Sequence, residues 1–353
     1  MLAALTPSLC LAYSPAPALP STMAAVHLTH KLCFTPFTSC IKTHTVDVPS
    51  PGRGQVLIES KGSSVNPCDV DYVEYGVGCS GGGGTLGMDM AGTVVAVGDG
   101  VDRLKIGDDV SCDVWANTGA EGGDSGGMAQ YAVINEAQAG LKPRSISFTE
   151  AATIPLVGQT ALECLQRTGA PWSDKGTNLT VLITSGSGGT GFIGVQLAKR
   201  AFGAAHVITA ASGEENIALM RQLGADVVVD YKVSDVFDAT PDDSVDIVFD
   251  NYGAKGEADK AMRVIRSGGT YLLLPGGGGG TLSKHPKPGV TQVNFGYTNS
   301  SGHEQLDLMR GFFDDGKLAP HVFATFPLER AAEAYAMSKS GVVVGKVAVG
   351  SGA

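Results

Sequence analysis

The residues best placed by type and spacing to do chemistry are Gly186-Ser187-Gly188-Gly189-Thr190-Gly191. Gly186, Gly188 and Gly191 satisfy G-x-G-x-x-G. The apolar run Val181-Leu182-Ile183 precedes them and reads as a buried parallel strand. Ile193, Leu197 and Ala201 follow at helical spacing. In that setting one glycine lets the chain turn off the strand, one admits a pyrophosphate against the backbone, and one lets the helix sit close to the sheet. The N–H groups along the turn, those of Ser187, Gly189 and Thr190 included, face a helix N-terminus that favours a phosphate. The chemistry is dinucleotide binding. A glycine-rich connecting loop is the alternative, and the strand before and helix after weigh against it.

The second Rossmann strand decides which dinucleotide. An NAD site places an acid about 20 residues past the glycines to hold the ribose 2′-hydroxyl. Here the strand ends Val207-Ile208-Thr209-Ala210-Ala211-Ser212-Gly213, without a carboxylate, and Ser212 can donate to a 2′-phosphate. NADPH is therefore expected, although Glu214 and Glu215 stand near enough to oppose a phosphate. The nicotinamide end belongs where strands stop at the switch point. Its candidates are Thr160, Asn251 with Gly253, and Leu274 with Pro275 and Gly276.

These residues need a frame. At 353 residues the chain can hold two domains with a substantial core. It is 43% hydrophobic and 17% charged, with net charge -10 and no basic run, which argues against nucleic acid as a partner. No apolar run reaches transmembrane length. Seven cysteines, an odd number without C-x-x-C spacing, favour a reduced compartment over a disulfide framework. Residues 1–22 carry no charge and four prolines, and read either as a plastid or mitochondrial transit peptide or as an extension ahead of a start at Met23.

From Met23 the pattern is all-β, with short strands at Ala24–Leu28, Gln55–Ser60, Gly92–Val97, Asp109–Val114 and Gln130–Ile134. Ser147 and Glu150 form a capping box that opens a helical region over Ala151–Gln166. After the glycine turn, strands at His206–Ala210, Asp226–Asp230, Val245–Asp250, Thr270–Leu274 and Val290–Thr298 alternate with helices at Glu214–Leu223 and Glu257–Ile265. Such alternation predicts a doubly wound parallel sheet. A helix at Glu304–Asp315, a strand near His321–Phe326, a helix at Leu328–Lys339 and a strand at Lys346–Val349 close the chain.

This order resembles the medium-chain dehydrogenase/reductase superfamily, and within it the zinc-free quinone oxidoreductase and alkenal/enone reductase branch. The resemblance rests on Val65-Asn66-Pro67-Cys68-Asp69, Gly87-Met88-Asp89-Met90-Ala91-Gly92, Gly107-Asp108-Asp109-Val110, Gly158-Gln159-Thr160-Ala161, the glycine turn and Gly345-Lys346-Val347. It implies an α/β chain: a GroES-like β-barrel domain at 23–150, a Rossmann domain at 151–315, and 316–353 returning to the barrel. It implies no zinc, because Asn66 and Pro67 stand where the zinc branch has Cys-His, and Gly87-Met88-Asp89 replaces its Gly-His-Glu. It places Asn66 and Asp69 beside the nicotinamide, and Tyr231 and Lys346 near the 2′-phosphate. The branch's tyrosine two residues after the Asp is Asp71 here, so Tyr72 or Tyr75, or water, is left as proton donor.

The expected activity is NADPH-dependent reduction of a small conjugated carbonyl, a quinone or the C=C of an enone or enal, with Asn66 or a ribose hydroxyl holding the developing oxyanion. The alternatives are an enoyl thioester reductase and a non-catalytic nucleotide-binding scaffold. Monomer and homodimer are both open.

Overall fold

The computed structural model describes residues 19–29, 33, 36–76, 84–114, 126–172, 178–276, 278–296 and 302–351. Most of the leader expected at 1–22 lies outside them, as do the heart of the Gly76–Gly84 loop, part of the Gly122–Gly127 region, Gly277 and the end of the strand expected at Val290–Thr298.

The first half is β1 (Thr22–Leu28), β2 (Ile41–Asp47), β3 (Gln55–Val65), α1 (Pro67–Tyr75), β4 (Asp89–Val97), β5 (Asp109–Asp113), β6 (Tyr131–Asn135) and β7 (Ala139–Leu141). β1 and β2 form an antiparallel pair. β3 is the spine of the rest. Its first half pairs with both β4 and β6, and because β6 stops opposite Glu59 the end of β3 keeps β4 on one edge and has the other open to another partner.

The second half opens with α2 (Phe148–Ala151) and α3 (Pro155–Arg167). The capping box forms as expected: Glu150 accepts the Ser147 N–H at 2.8 Å and Ser147 Oγ accepts the Glu150 N–H at 3.2 Å. The single helix expected over Ala151–Gln166 is instead two, because Pro155 has no N–H to continue the first and starts the second. Then come β8 (Thr180–Ile183), α4 (Gly189–Gln196), β9 (His206–Ala211), α5 (Glu214–Leu223), β10 (Val227–Asp230), β11 (Val245–Asp250), α6 (Glu257–Val264), β12 (Ile265–Leu273), β13 (Thr291–Asn294) and α7 (His303–Asp314). The sheet order is β10-β9-β8-β11-β12-β13, parallel throughout. Chain order reverses between β8 and β11, so the crevice at their C-terminal ends is the switch point. The core is the apolar face of α3 and α4 against this sheet, with Val181, Ile183, Val207 and Phe249 fully buried.

The chain ends with β14 (Val322–Pro327), α8 (Ala331–Lys339) and β15 (Lys346–Gly350). β15 pairs antiparallel with the free end of β3, Val347 opposite Val65, and β14 lies on its other side. Thus the last strand of the chain enters the first half's sheet.

Cys33 and Cys40 are joined as a disulfide, a single link and not the framework that the sequence weighed against. Both are buried with Val70 and Val73 of α1. Cys68, Cys112 and Cys164 form no disulfide.

Candidate functional site

A cleft of about 230 Å³ opens at the β8/β11 switch point, between the two halves of the molecule. Ser185, Gly188, Gly189 and Thr190 form one side and Asn251 and Tyr252 another. Val65 and Pro67 face them from the barrel, Val157 from α3, and Val343, Lys346 and Val347 from the return.

The glycine turn is shaped for close backbone approach. A Cβ on Gly191 would lie 2.2 Å from the Ser185 carbonyl oxygen, and one on Gly186 would lie 2.1 Å from Thr209 Oγ1. Gly188 caps α4 with extended φ, -74°, and opens onto the cleft. Ser185 was not singled out by sequence, yet it holds φ +49°, in the left-handed region that costs a non-glycine residue energy. Its carbonyl accepts the Gly188 N–H at 3.1 Å, closing the turn. Ser187 accepts the Gly345 N–H at 2.9 Å, which ties the turn to the return.

Asn251 stands beside this turn, its Nδ2 donating to the Thr184 carbonyl at 2.5 Å. The loop holding it hangs on Asp250, a fully buried carboxylate absent from the sequence candidates. Asp250 accepts from Thr184 Oγ1 at 2.9 Å, the Gly253 N–H at 2.9 Å and Tyr271 Oη at 2.6 Å. Leu274 donates its N–H to the Asp250 carbonyl, and Gly253 has the Leu274 carbonyl within 2.9 Å of where a Cβ would be. Asn251, Gly253, Leu274, Pro275 and Gly276 are therefore brought together. Thr160 is half-buried on α3, three residues past Val157.

At the far end, Ser212 and Tyr231 are neighbours, the Tyr231 N–H reaching the Ala211 carbonyl at 3.4 Å, and Tyr231 is exposed. The tip is less acid-free than its own strand suggests. Asp230 at the end of β10 accepts the Ser212 hydroxyl and the Gly213 and Lys232 N–H groups, which hold its carboxyl below the usual range. Those donors keep it ionised, so the neighbouring strand brings an acid to the tip that the strand read from sequence lacks.

The barrel side of the cleft floor is a buried polar cluster. Asn66 is the N-cap of α1, and Asp69 accepts its N–H at 2.8 Å. Asn66 Nδ2 donates to Asp89 at 2.8 Å and to Asp69 at 3.2 Å. Its Oδ1 accepts from Lys346 Nζ. Lys346 also donates to the Val65 carbonyl at 3.1 Å and reaches Asp89 at 3.4 Å. Asp89 further accepts from Ser64 Oγ and the Leu156 N–H, both at 2.8 Å. Two expectations change here. Asn66 is fully buried with every amide hydrogen committed, so it has no donor to offer a substrate oxygen. Lys346 joins this cluster, not Ser212 and Tyr231. Tyr72 packs against the barrel cluster around Val73 and is absent from the cleft wall, whereas Tyr252, unread in the sequence, stands in it.

This cluster does not fit a metal ion. An ammonium already occupies the space between Asp89 and Asn66, and a cation there would be repelled. Among the described residues no group of three or more His, Cys, Asp and Glu could hold a metal.

Burial, then the neighbouring Asp89 charge, pushes the Asp69 carboxyl up to about 7, against the Asn66 N–H bond and Lys346, which pull it down. The folded protein then keeps a proton that the unfolded chain has released above pH 3.8, so this group favours the fold at low pH and its contribution is lost as pH rises towards 7. The loss is on the order of 4 kcal/mol at most. We expect urea unfolding to show stability declining from about pH 4 to about pH 7, and Asp69→Asn to flatten that decline. Parallel pH dependence in the two proteins would contradict the assignment.

Comparison with known proteins gives two family matches. Residues 52–144 match an alcohol dehydrogenase GroES-like domain and residues 223–349 a zinc-binding dehydrogenase domain. An NADPH-dependent alkenal/one oxidoreductase, chloroplastic, of Arabidopsis thaliana is 34% identical over 307 residues, covering 86% of this chain and 73% of the relative. A chloroplastic quinone-oxidoreductase of Triphysaria versicolor is 31% identical over 337 residues, covering 88% and 93%. A solved quinone oxidoreductase of Coxiella burnetii superposes with a TM-score of 0.75 at 25% identity, covering 93% of this chain and 99% of its own.

Proposed function

We propose that this chain, which belongs to the medium-chain dehydrogenase/reductase superfamily, is an NADPH-dependent reductase of small conjugated carbonyls, acting on enones, enals or quinones. The observation that carries the reading is the glycine turn at the switch point opening directly onto a cleft whose opposite wall is apolar, with Val65, Pro67, Val157, Val343 and Val347. The relatives' printed activities, alkenal/one and quinone oxidoreduction, support the substrate class.

The residues fit an NADPH molecule along that crevice. Its pyrophosphate belongs on the N–H groups of Gly189–Gly191 at the start of α4. Its 2′-phosphate belongs beside the exposed Tyr231 at the Ser212–Gly213 tip, with Asp230, which its donors keep ionised, as the charge that site must accommodate. Asn251 and the Leu274–Gly276 loop, both hung on Asp250, border the nicotinamide end. Bound there, NADPH supplies the hydride. The chain's own work is orientation and exclusion of water. Val65, Pro67, Val157, Val343 and Val347 give the substrate an apolar wall. With Asn66 committed, the ribose hydroxyl of the two donors considered is the one left for the developing oxyanion, and either water or Tyr252 is left to return a proton. The barrel with its C-terminal return and the Rossmann part act as the two jaws of this cleft.

The test is direct binding of NADPH by fluorescence, followed by NADPH consumption with a panel of enones, enals and quinones. Binding with turnover of at least one class is the expected result. Absence of both sinks the reading. Among the described residues no helix is long and apolar enough to cross a membrane. Chloroplastic relatives support an organellar address for residues 1–22, which a reporter fused to that segment would reveal by its location.

A further inference from the structure

We infer that Lys346 is a positioning residue of the substrate cleft, acting through Asn66 and Asp89, and not a partner of the cofactor's phosphates. The inference rests on the functional reading above.

An ammonium has three hydrogens to give. Those of Lys346 face three acceptors, the Val65 carbonyl, Asn66 Oδ1 and Asp89. The side chain is 5% exposed, so water completes none of this. Its path is equally fixed. Gly345 is held to Ser187 by a main-chain bond, and it adopts φ +70° with the His321 carbonyl 2.4 Å from where a Cβ would stand. The Lys346 stem then crosses the glycine turn, its Cδ 3.0 Å from a Cβ placed on Gly189. The head therefore passes the phosphate-binding turn and is delivered into the barrel.

What it holds there is the cleft floor. By taking Asn66 Oδ1, Lys346 sets which way that amide points, and so sends both Nδ2 hydrogens to Asp89 and Asp69. Asp69 caps α1, whose first residue is Pro67. The other oxygen of Asp89 receives the Leu156 N–H at the start of α3, next to Val157. Val65, Pro67 and Val157 are three walls of the cleft on three elements, and one cation organises the cluster that joins them. A buried ammonium shared by one carboxylate, one amide oxygen and one carbonyl is strongly directional because no solvent screens it.

The experiment compares wild type with Lys346→Met and Lys346→Arg. Three quantities are read: the NADPH dissociation constant by fluorescence without substrate, kcat and KM for an enone at saturating NADPH, and the pH profile of kcat/KM. Lys346→Met should leave the NADPH constant within about 3-fold and lower kcat/KM for the enone by about 10-fold or more. Its pH profile should break at higher pH, because the cation that restrains Asp69 is gone, with Asp89, Asn66 and Tyr335 as the other groups facing Asp69, and Cys68 and Tyr72 facing Tyr335 in turn. Lys346→Arg should recover part of the loss. The opposite split, with NADPH weakened about 10-fold or more and kcat/KM at saturation unchanged, overturns the inference in favour of phosphate binding. Should Lys346→Met fail to fold, the double variant Lys346→Met/Asp89→Asn is read by the NADPH and enone criteria, since it removes both charges. A wild type that neither binds NADPH nor turns over an enone refutes the functional reading, which is a different result from either split.

Discussion

Gly191→Ala should weaken NADPH binding by roughly 10- to 100-fold and lower the melting temperature at the same time. The added methyl would meet the Ser185 carbonyl oxygen at 2.2 Å and the Gly186 Cα at 3.0 Å. Both are backbone atoms, so no rotamer change can make room. The turn itself must open, and Ser185 already holds it at φ +49°. Overpacking of this kind costs about 1–3 kcal/mol, and the same displacement spoils the row of N–H groups. Gly188→Ala is the matched control. Its nearest obstacle is Ser185 Oγ at 3.2 Å, a side chain free to rotate, and its own φ of -74° suits alanine. That variant should melt near wild type while binding NADPH less tightly, because its methyl enters the space over which a pyrophosphate would lie. Equal behaviour of the two variants would mean that the turn is a simple connecting loop.

Asp89→Ala should cost about 3–5 kcal/mol of stability, visible as a fall in the urea midpoint at unchanged slope. The carboxylate is fully buried and answers Lys346, Asn66 Nδ2, Ser64 Oγ and the Leu156 N–H. Removing it strands an ammonium that cannot reach water and leaves a helix N-terminus without its acceptor. Replacing both charges, as in Asp89→Leu/Lys346→Met, should restore much of that stability, because an apolar pair of similar volume escapes the desolvation cost. The double variant should nevertheless remain poor in catalysis. A single variant that loses less than about 1 kcal/mol would show that solvent reaches the pair.

Much of the parallel sheet was legible because its strands are short apolar runs with turn residues between them, as in Val245–Asp250, where expectation and structure coincide. The sequence was less informative where a strand is polar on both faces. β2 reads Ile-Lys-Thr-His-Thr-Val-Asp, is mostly exposed, and has no apolar alternation to reveal it. α1 was missed as a helix because its capping residues, Asn66 and Asp69, equally suit a turn, and only nine residues follow the cap. The glycine turn and Asn251 could be read because their chemistry is local. The Asn66–Asp89–Lys346 cluster could not, since its members are widely separated in sequence and meet only when β15 lies on β3. Asp89 and Asp250 carried one usable signal, an acid set against a strongly apolar strand, which is a costly place for a charge without a partner.

The pairing of β15 with β3 bears on how the molecule forms. Lys346 and the Val65 carbonyl it bonds are 281 residues apart in the chain. During synthesis the spine of the barrel emerges early, yet the edge that β15 covers waits until nearly everything else has been made. The Rossmann sheet, whose strands succeed one another locally, has no such delay and can assemble first. Until it does, β3 presents unpaired N–H and C=O groups to any extended chain nearby. The first part of the sequence to be translated is thus the last to be finished, and the nascent protein's exposure to misassembly is set by the length of the domain inserted between the two strands.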